Sequence, residues 1–460
     1  MNMPTNYNNN HINKYDWGLY PHAEEFLKRF IKDFLNNNSF AQSISSRMEL
    51  KTSTQFYDWI DHIVFPENII SKKGLEELGF QEADNIEAPG EMCVFMHPGA
   101  IFPPILLCKN QFTEISLKPE RLDHFIQMIG KGHLIDGLIY GPYRKAVISV
   151  QNSHILSAVE RRGFNGFIMP KKVNDTVEYR QAMEVFICRQ RYFENTAEGI
   201  DAAQKLVDSL CKKLSNARTA DAFFRAERYY WERRNWVGQS QKARQDRLGL
   251  GWGNHDHHTY RSSRKYFTEL IKFFQTLGFT CREKFYAGDE AGWGAQLLEH
   301  PQCNIVIFAD IDLQKEEKKV DFVRQELKQA NQFGTVGLWV ELHGESILQA
   351  GLHHLAARFI FEKLRLDLTK LNINTMIPFS YFEFLKQAFT EGEIWNIDSK
   401  RLEHLLYKKS ITKTQYETFL NKGAVGSHLE NVQRTQGFKG FNQRSVSAII
   451  IATDPRKYKA

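Results

Sequence analysis

Apolar residues recur along this chain in two periods, and the points where one period gives way to the other define its expected elements. Over Glu24–Leu35 the apolar positions Phe26, Leu27, Phe30, Ile31 and Phe34 fall near every 3.6 residues, which predicts a helix. Phe56–Phe65 is a run of aromatic and branched residues stopped by Pro66, which predicts a strand. Ile70–Leu78 predicts a short helix closed by Gly79, and Met92–Met96 and Ile101–Leu107 predict two further strands. The same order returns in the second half. Trp252–Tyr260 predicts a strand and Ser262–Leu277 a helix with the stripe Tyr266, Phe267, Leu270, Ile271 and Phe274. Strands at Ala295–Leu298 and Asn304–Phe308 follow. Both helices end in Leu-Gly-Phe (Leu78-Gly79-Phe80 and Leu277-Gly278-Phe279), and each follows a strand bearing a histidine, His62 or His257. An internal repeat of a strand–helix–strand–strand unit accounts for both.

Between the copies, Arg121–Ile129 and Ala202–Leu214 read as helices, and Ala146–Val150, Gly166–Pro170 and Ala182–Tyr192 as strands. In Gly334–His343 the residues Trp339, Glu341 and His343 alternate with Leu338, Val340 and Leu342, the period of a strand. Leu352–Leu364 and Lys400–Leu420 read as helical, and Ser445–Ala452 as a last buried strand. Lys422–Arg444 has few apolar anchors and several glycines, so a lid or long loop is expected there. These elements suggest an N-terminal extension and helix over 1–50, a first half over 51–250 with helical insertions, and a second half over 251–460.

Composition narrows the class. With 60 basic against 54 acidic residues the net charge is only +6, too small an excess to call for a nucleic-acid partner. Phe223–Arg247 interleaves cations and rings, a pattern that can stack on single strands but more often belongs to a helix with buried rings and wet charges. Six scattered cysteines form no CxxC pair, so reduced thiols are expected rather than a disulfide framework. The Asn-rich first twenty residues, expected to be poorly ordered, show no secretory pattern, and no apolar run reaches bilayer length. A cytoplasmic location is the expectation from these features. Oligomeric state is left open.

The densest chemistry lies at Gly253–Arg261, where three histidines, an aspartate and an arginine fall close together. As strand residues, His255, His257 and Arg261 would share a face. Two His and one carboxylate with open positions suit a divalent metal at an oxidative site. His62, His257 and Glu341 offer that set, with His255 and His258 as rivals to His257. Glu341 sits among apolar neighbours, where a bare carboxylate costs several kcal/mol unless paired or bound to a cation.

Three stretches extend this pattern. His257-His258-Thr259-Tyr260-Arg261 is similar to a His-Leu-Thr-Pro-Arg motif, matching at the His, Thr and Arg. Val340-Glu341-Leu342-His343-Gly344 is similar to a metal-binding glutamate segment, with Gly351 at a later glycine. Ser380-Tyr381-Phe382-Glu383-Phe384-Leu385 is similar to a segment leading into a substrate loop. In this order they resemble the vicinal oxygen chelate superfamily, and within it the 2-oxoadipate dioxygenase/decarboxylase (2-hydroxyglutarate synthase) family. The likeness is clearest over about residues 250–395. Pro66 stands where family members have an arginine four residues after the first His.

The resemblance implies an α+β fold of paired βαβββ modules forming a cup-shaped mixed sheet around a central metal site, with added helices. It implies Fe(II), with Mn or Zn open, and a 2-oxo acid and dioxygen as small-molecule partners. The reaction would be oxidative decarboxylation with hydroxylation. Arg261 would anchor a substrate carboxylate, with Thr259 and Gln387 in the substrate site. His343 would donate to bound oxygen or orient Glu341, or serve as a hydrogen-bonded structural residue. A metal-dependent isomerase or lyase of the same superfamily, and a non-catalytic small-molecule binder reusing the cup, are the alternatives.

Overall fold

The computed structural model describes residues 17–457 apart from 110, 131, 287–291, 331 and 443–452. The strand expected at Ser445–Ala452 lies outside the described residues. The first half forms a seven-stranded mixed sheet, in which β1 (Ile60–Pro66), β2 (Gln81–Glu82), β3 (Cys93–Met96) and β4 (Ile105–Cys108) make one module. β5 (Thr113–Leu117), β6 (Tyr143–Gln151) and β7 (His154–Arg161) make the other, and the sheet order is β2-β3-β4-β1-β5-β7-β6. The second half repeats the plan. β8 (His255–Arg261), β9 (Thr280–Tyr286), β10 (Trp293–His300) and β11 (Ile305–Asp312) form one module. β12 (His354–Arg358), β13 (Ser380–Tyr381), β14 (Leu385–Phe389), β15 (Glu393–Trp395) and β16 (Ala424–Arg434) form the next. The order β9-β10-β11-β8-β12-β16-β14-β13 matches the first sheet strand for strand, with β13 added at the far edge and β15 paired to β16.

Each module sends a helix across its sheet. The helices Lys72–Glu77 and Phe267–Thr276 open the first module of each half. They stop at Gly79 and Gly278, whose φ values of 89° and 94° suit glycine and turn the chain into β2 and β9. His97 and His300 lie against the two glycines, so the repeat extends into the strands that follow. The modules of each half meet where β1 pairs antiparallel with β5, and β8 with β12.

The helices Thr176–Cys188, Thr196–Cys211, Asn216–Glu232 and Trp236–Asp246 fill the segment between the sheets. Phe223, Phe224 and Trp231 are buried there. The cations of this stretch are engaged internally: Arg218 pairs with Asp175 at 2.8 Å, Arg225 with Asp221 at 2.8 Å and Arg228 with Glu120 at 3.3 Å. None of the six cysteines forms a disulfide. No helix among the described residues is long and apolar enough to cross a membrane.

Five expectations change. Gly334–His343 is not a strand but the helix Thr335–His343. Its N-terminal N–H groups at Gly334, Val336 and Gly337 donate to the Asp312 carboxylate at 2.8, 3.0 and 2.9 Å, and that anchor starts the helix. Burial nearly all round leaves it no polar face to betray a 3.6 period. Leu352–Leu364 divides into β12 and the helix Phe361–Thr369, while Ala182–Tyr192 falls largely within the helix Thr176–Cys188. Lys422–Arg444 contains β16, a buried central strand rather than a lid. Gly166–Pro170 holds no strand.

Candidate metal centre

β8 does not alternate evenly. His257 pairs with Ala356 and His255 with Ala357, so Asp256 is the extra residue of a bulge. The bulge separates two histidines expected on one face. His255 packs instead beside His258, with ring centroids 5.4 Å apart, and its Nδ1 is 3.0 Å from the Trp252 carbonyl. His258 packs on Phe224 of the inter-sheet helices. His257 alone of the three lines the cleft of the second sheet.

Three side chains converge there. Oε2 of Glu430 on β16 lies 3.1 Å from Nε2 of His257 on β8 and 3.0 Å from Nε2 of His354 on β12. One ligand atom from each residue falls within 4.8 Å of the other two, and all three residues are buried. Donors bound at about 2.1 Å and at right angles stand about 3.0 Å apart, so the separations of Glu430 from His257 and from His354 suit ligands of one divalent ion. The donor set is the two-histidine, one-carboxylate set of non-heme iron sites.

Neighbouring groups fix each donor. Nδ1 of His257 is 2.9 Å from Asp256 Oδ1. Asp256 accepts from Arg434 Nε at 2.9 Å and Nη2 at 3.0 Å, and from Arg358 Nε at 3.2 Å. Gln387 Nε2 donates to Glu430 Oε1 at 2.8 Å, leaving Oε2 for the cluster. His354 has Nδ1 3.0 Å from His353 Nδ1 and Nε2 2.7 Å from Thr259 Oγ1. Burial pushes His354 down to about 4, the neutral form that ligates. Burial opposes charge on His257 too, but the Glu430 and Asp256 carboxylates outweigh it and raise that imidazole to about 9.

The cleft above the triad is partly open and is lined by Phe285, Trp293, Phe308, Phe379, Phe389 and Phe441 with a few polar groups. Arg261 is among those polar groups. It is 2% exposed, and its Nε and Nη1 find no hydrogen-bond partner among the described residues. Asp310, 3.8 Å away, is its closest acid. Burial raises Asp310 to about 7, against the pull of Arg261.

Of the expected metal ligands, only His257 stands in this cluster. His62 lies on β1 of the other sheet, its Nδ1 2.7 Å from Asp61 and its ring against Phe167. Glu341 lies on the helix Thr335–His343, where alternation no longer points it toward β8. The expected triad takes one histidine from each half, whereas each half holds a complete pair of modules. His343, on the same helix, has its Nε2 2.9 Å from the Val425 carbonyl and does not line the cleft. Burial lowers it to about 3. Arg261, Thr259 and Gln387 do line the cleft.

His354 and Glu430 fall in segments 352–364 and 422–444, whose sequences point to a helix and a loop rather than to β12 and β16. A signal for Glu430 exists in the sequence. Gly163-Phe164-Asn165-Gly166-Phe167 follows Arg161 on β7, and Gly437-Phe438-Lys439-Gly440-Phe441 follows Arg434 on β16. That Gly-Phe-Xaa-Gly-Phe repeat marks the two segments as equivalent strand ends.

No protein-family model and no curated protein sequence matches the chain. Solved structures with a similar fold include a candidate hydrolase from Shewanella frigidimarina (15% identity, 48% of this chain, 97% of that chain, TM-score 0.33). Methylmalonyl-CoA epimerase from Mycobacterium tuberculosis is another (14% identity, 40% of this chain, 89% of that chain, TM-score 0.23). A third is a triple mutant of 4-hydroxymandelate synthase from Streptomyces coelicolor (10% identity, 73% of this chain, 94% of that chain, TM-score 0.28). At these values no residue role transfers from any of them, and the site stands on its own geometry.

Proposed function

We propose that this protein is a non-heme Fe(II)-dependent oxygenase acting on a 2-oxo acid, by oxidative decarboxylation with hydroxylation. The convergence of His257, His354 and Glu430 beneath a cleft whose Arg261 keeps Nε and Nη1 without hydrogen bonds among the described residues carries the reading. Iron bound by that donor set supplies Lewis acidity and redox chemistry toward dioxygen. Overall, R-CH2-CO-COOH and O2 become R-CH(OH)-COOH and CO2, with one oxygen atom entering the new carboxyl group and the other the hydroxyl.

The chain's own groups have separable tasks. Arg261 offers two free N–H groups to a carboxylate in a low-dielectric wall, where the ion pair gains strength. Gln387 fixes the orientation of Glu430, and Asp256 that of His257. The surrounding rings exclude water and favour a substrate whose body is apolar.

The test uses protein purified without oxygen. Metal analysis is expected to show one iron per chain, lost in His257→Ala, His354→Ala and Glu430→Ala but kept in His62→Ala and Glu341→Ala. Oxygen uptake with a panel of 2-oxo acids then tests the reaction. Asp310 favours a second reading, because a carboxyl raised to about 7 can exchange a proton at neutral pH, as an isomerase or lyase requires. Metal-dependent turnover without oxygen uptake selects that reading. Full metal loading with no turnover in either assay points to a binding protein.

A further inference from the structure

The frame around the metal triad occurs twice. In the first sheet Ile60 pairs with Leu117 and His62 with Ser116, so Asp61 occupies the same bulge as Asp256. Arg161 grips Asp61 through Nε at 2.8 Å and Nη2 at 2.9 Å, as Arg434 grips Asp256. Arg161 Nη1 also donates to the Gly166 carbonyl at 2.5 Å, and the Phe167 ring centroid lies 4.7 Å from the guanidinium. Arg434 makes the same contacts with Gly440, at 2.7 Å, and Phe441, at 4.5 Å.

Strand register then locates the counterpart of every group in the site. Ala356 pairs with both His257 and Glu430, and Ser116 with both His62 and Ser157. Ser157 therefore stands for Glu430. Glu114, two residues before Ser116, stands for His354, two before Ala356. Gln387 pairs with Val432 two residues past Glu430, and Lys145 with Val159 two past Ser157, so Lys145 stands for Gln387. Pro66 stands for Arg261, each four residues after its histidine.

The occupants have changed together. Lys145 Nζ is 2.5 Å from Glu114 Oε1, and that oxygen also accepts from Ser157 at 2.5 Å and Ser116 at 3.1 Å. In the same half Val64, Val94, Leu106, Cys108 and Phe167 form an apolar cluster. Ser157 replaces the glutamate, Glu114 the second histidine and Pro66 the guanidinium, and an ammonium stands beside the Glu114 carboxylate. We infer that the first sheet holds a metal-independent copy of the site, with the Lys145 ammonium as its built-in cation.

The inference rests on the metal reading of the second sheet, and two measurements keep them apart. After anaerobic reconstitution with Fe(II), the full chain is expected to hold one equivalent. The folded triple variant Lys145→Gln/Glu114→His/Ser157→Glu is expected to hold two, the second surviving when His257→Ala is added. A folded triple variant still holding one overturns the inference. A wild type holding none overturns the metal reading alone. The second measurement applies even where the triple variant does not fold. Lys145→Met is expected to lower the Tm by stranding Glu114, and Lys145→Met/Glu114→Gln to recover most of that loss. An equal loss in both variants overturns the inference.

Discussion

The Asp256 carboxylate lies 2.9 Å from Nδ1 of His257, its own neighbour in the chain. Adjacent residues of a regular strand point to opposite faces, and the bulge at Asp256 lets them meet. The acid fixes the ring's tautomer and leaves Nε2 facing Glu430. Asp256→Asn is therefore expected to weaken metal binding by about 10–100-fold while the triad itself remains. Metal titration against a competing chelator measures this, and an unchanged affinity would remove Asp256 from the site.

Arg261 and Asp310 set an expectation for pH. Below about 7 Asp310 is mainly protonated, and Arg261 presents uncompensated charge to an incoming carboxylate. Above it Asp310 ionises 3.8 Å from the guanidinium and competes with that carboxylate. KM for an acidic substrate is thus expected to rise as pH increases through 7, with less change in kcat. Asp310→Asn should flatten the profile, and Arg261→Met should raise KM at every pH. A KM profile unaltered by Asp310→Asn would break the link.

The helix Thr335–His343 depends on Asp312, which accepts from three N–H groups at its first turn. Asp312→Ala removes these acceptors inside the protein. The expected cost is about 1–3 kcal/mol in chemical denaturation, with metal content unchanged because neither Asp312 nor the helix supplies a ligand. Loss of metal without loss of stability would contradict this division.

What the sequence disclosed follows the same physics. The helix Phe267–Thr276 was readable because its apolar stripe faces a sheet and its other side faces water. The module repeat was readable because the turns at Gly79 and Gly278 each need a left-handed residue. The helix Thr335–His343 was not, since its capping acid lies 22 residues from Gly334. β16 was obscured because buried Ser427, His428, Glu430 and Asn431 interrupt the apolar pattern of a central strand. Those polar residues resemble a loop in the sequence, yet Glu430 is the carboxylate of the site. His257 was identified on the premise of even alternation, and the bulge that breaks this alternation is also what gives the residue its aspartate partner.

The ring-lined cleft makes the last expectation. Phe285 and Trp293 border it from β9 and β10, away from the strands that carry the triad. Burying a large apolar side chain is worth about 1.5–3 kcal/mol, or roughly 10–150-fold in affinity. Trp293→Ala should therefore weaken binding of 2-oxo acids with large apolar bodies by up to that factor and leave short 2-oxo acids nearly unaffected. Arg261→Met should weaken both classes alike, because it would hold the charged group they share. Isothermal titration with a matched pair, one phenyl-bearing and one methyl-bearing 2-oxo acid, separates the two effects. Equal losses for both ligands in Trp293→Ala would show that the rings support the fold rather than select the substrate.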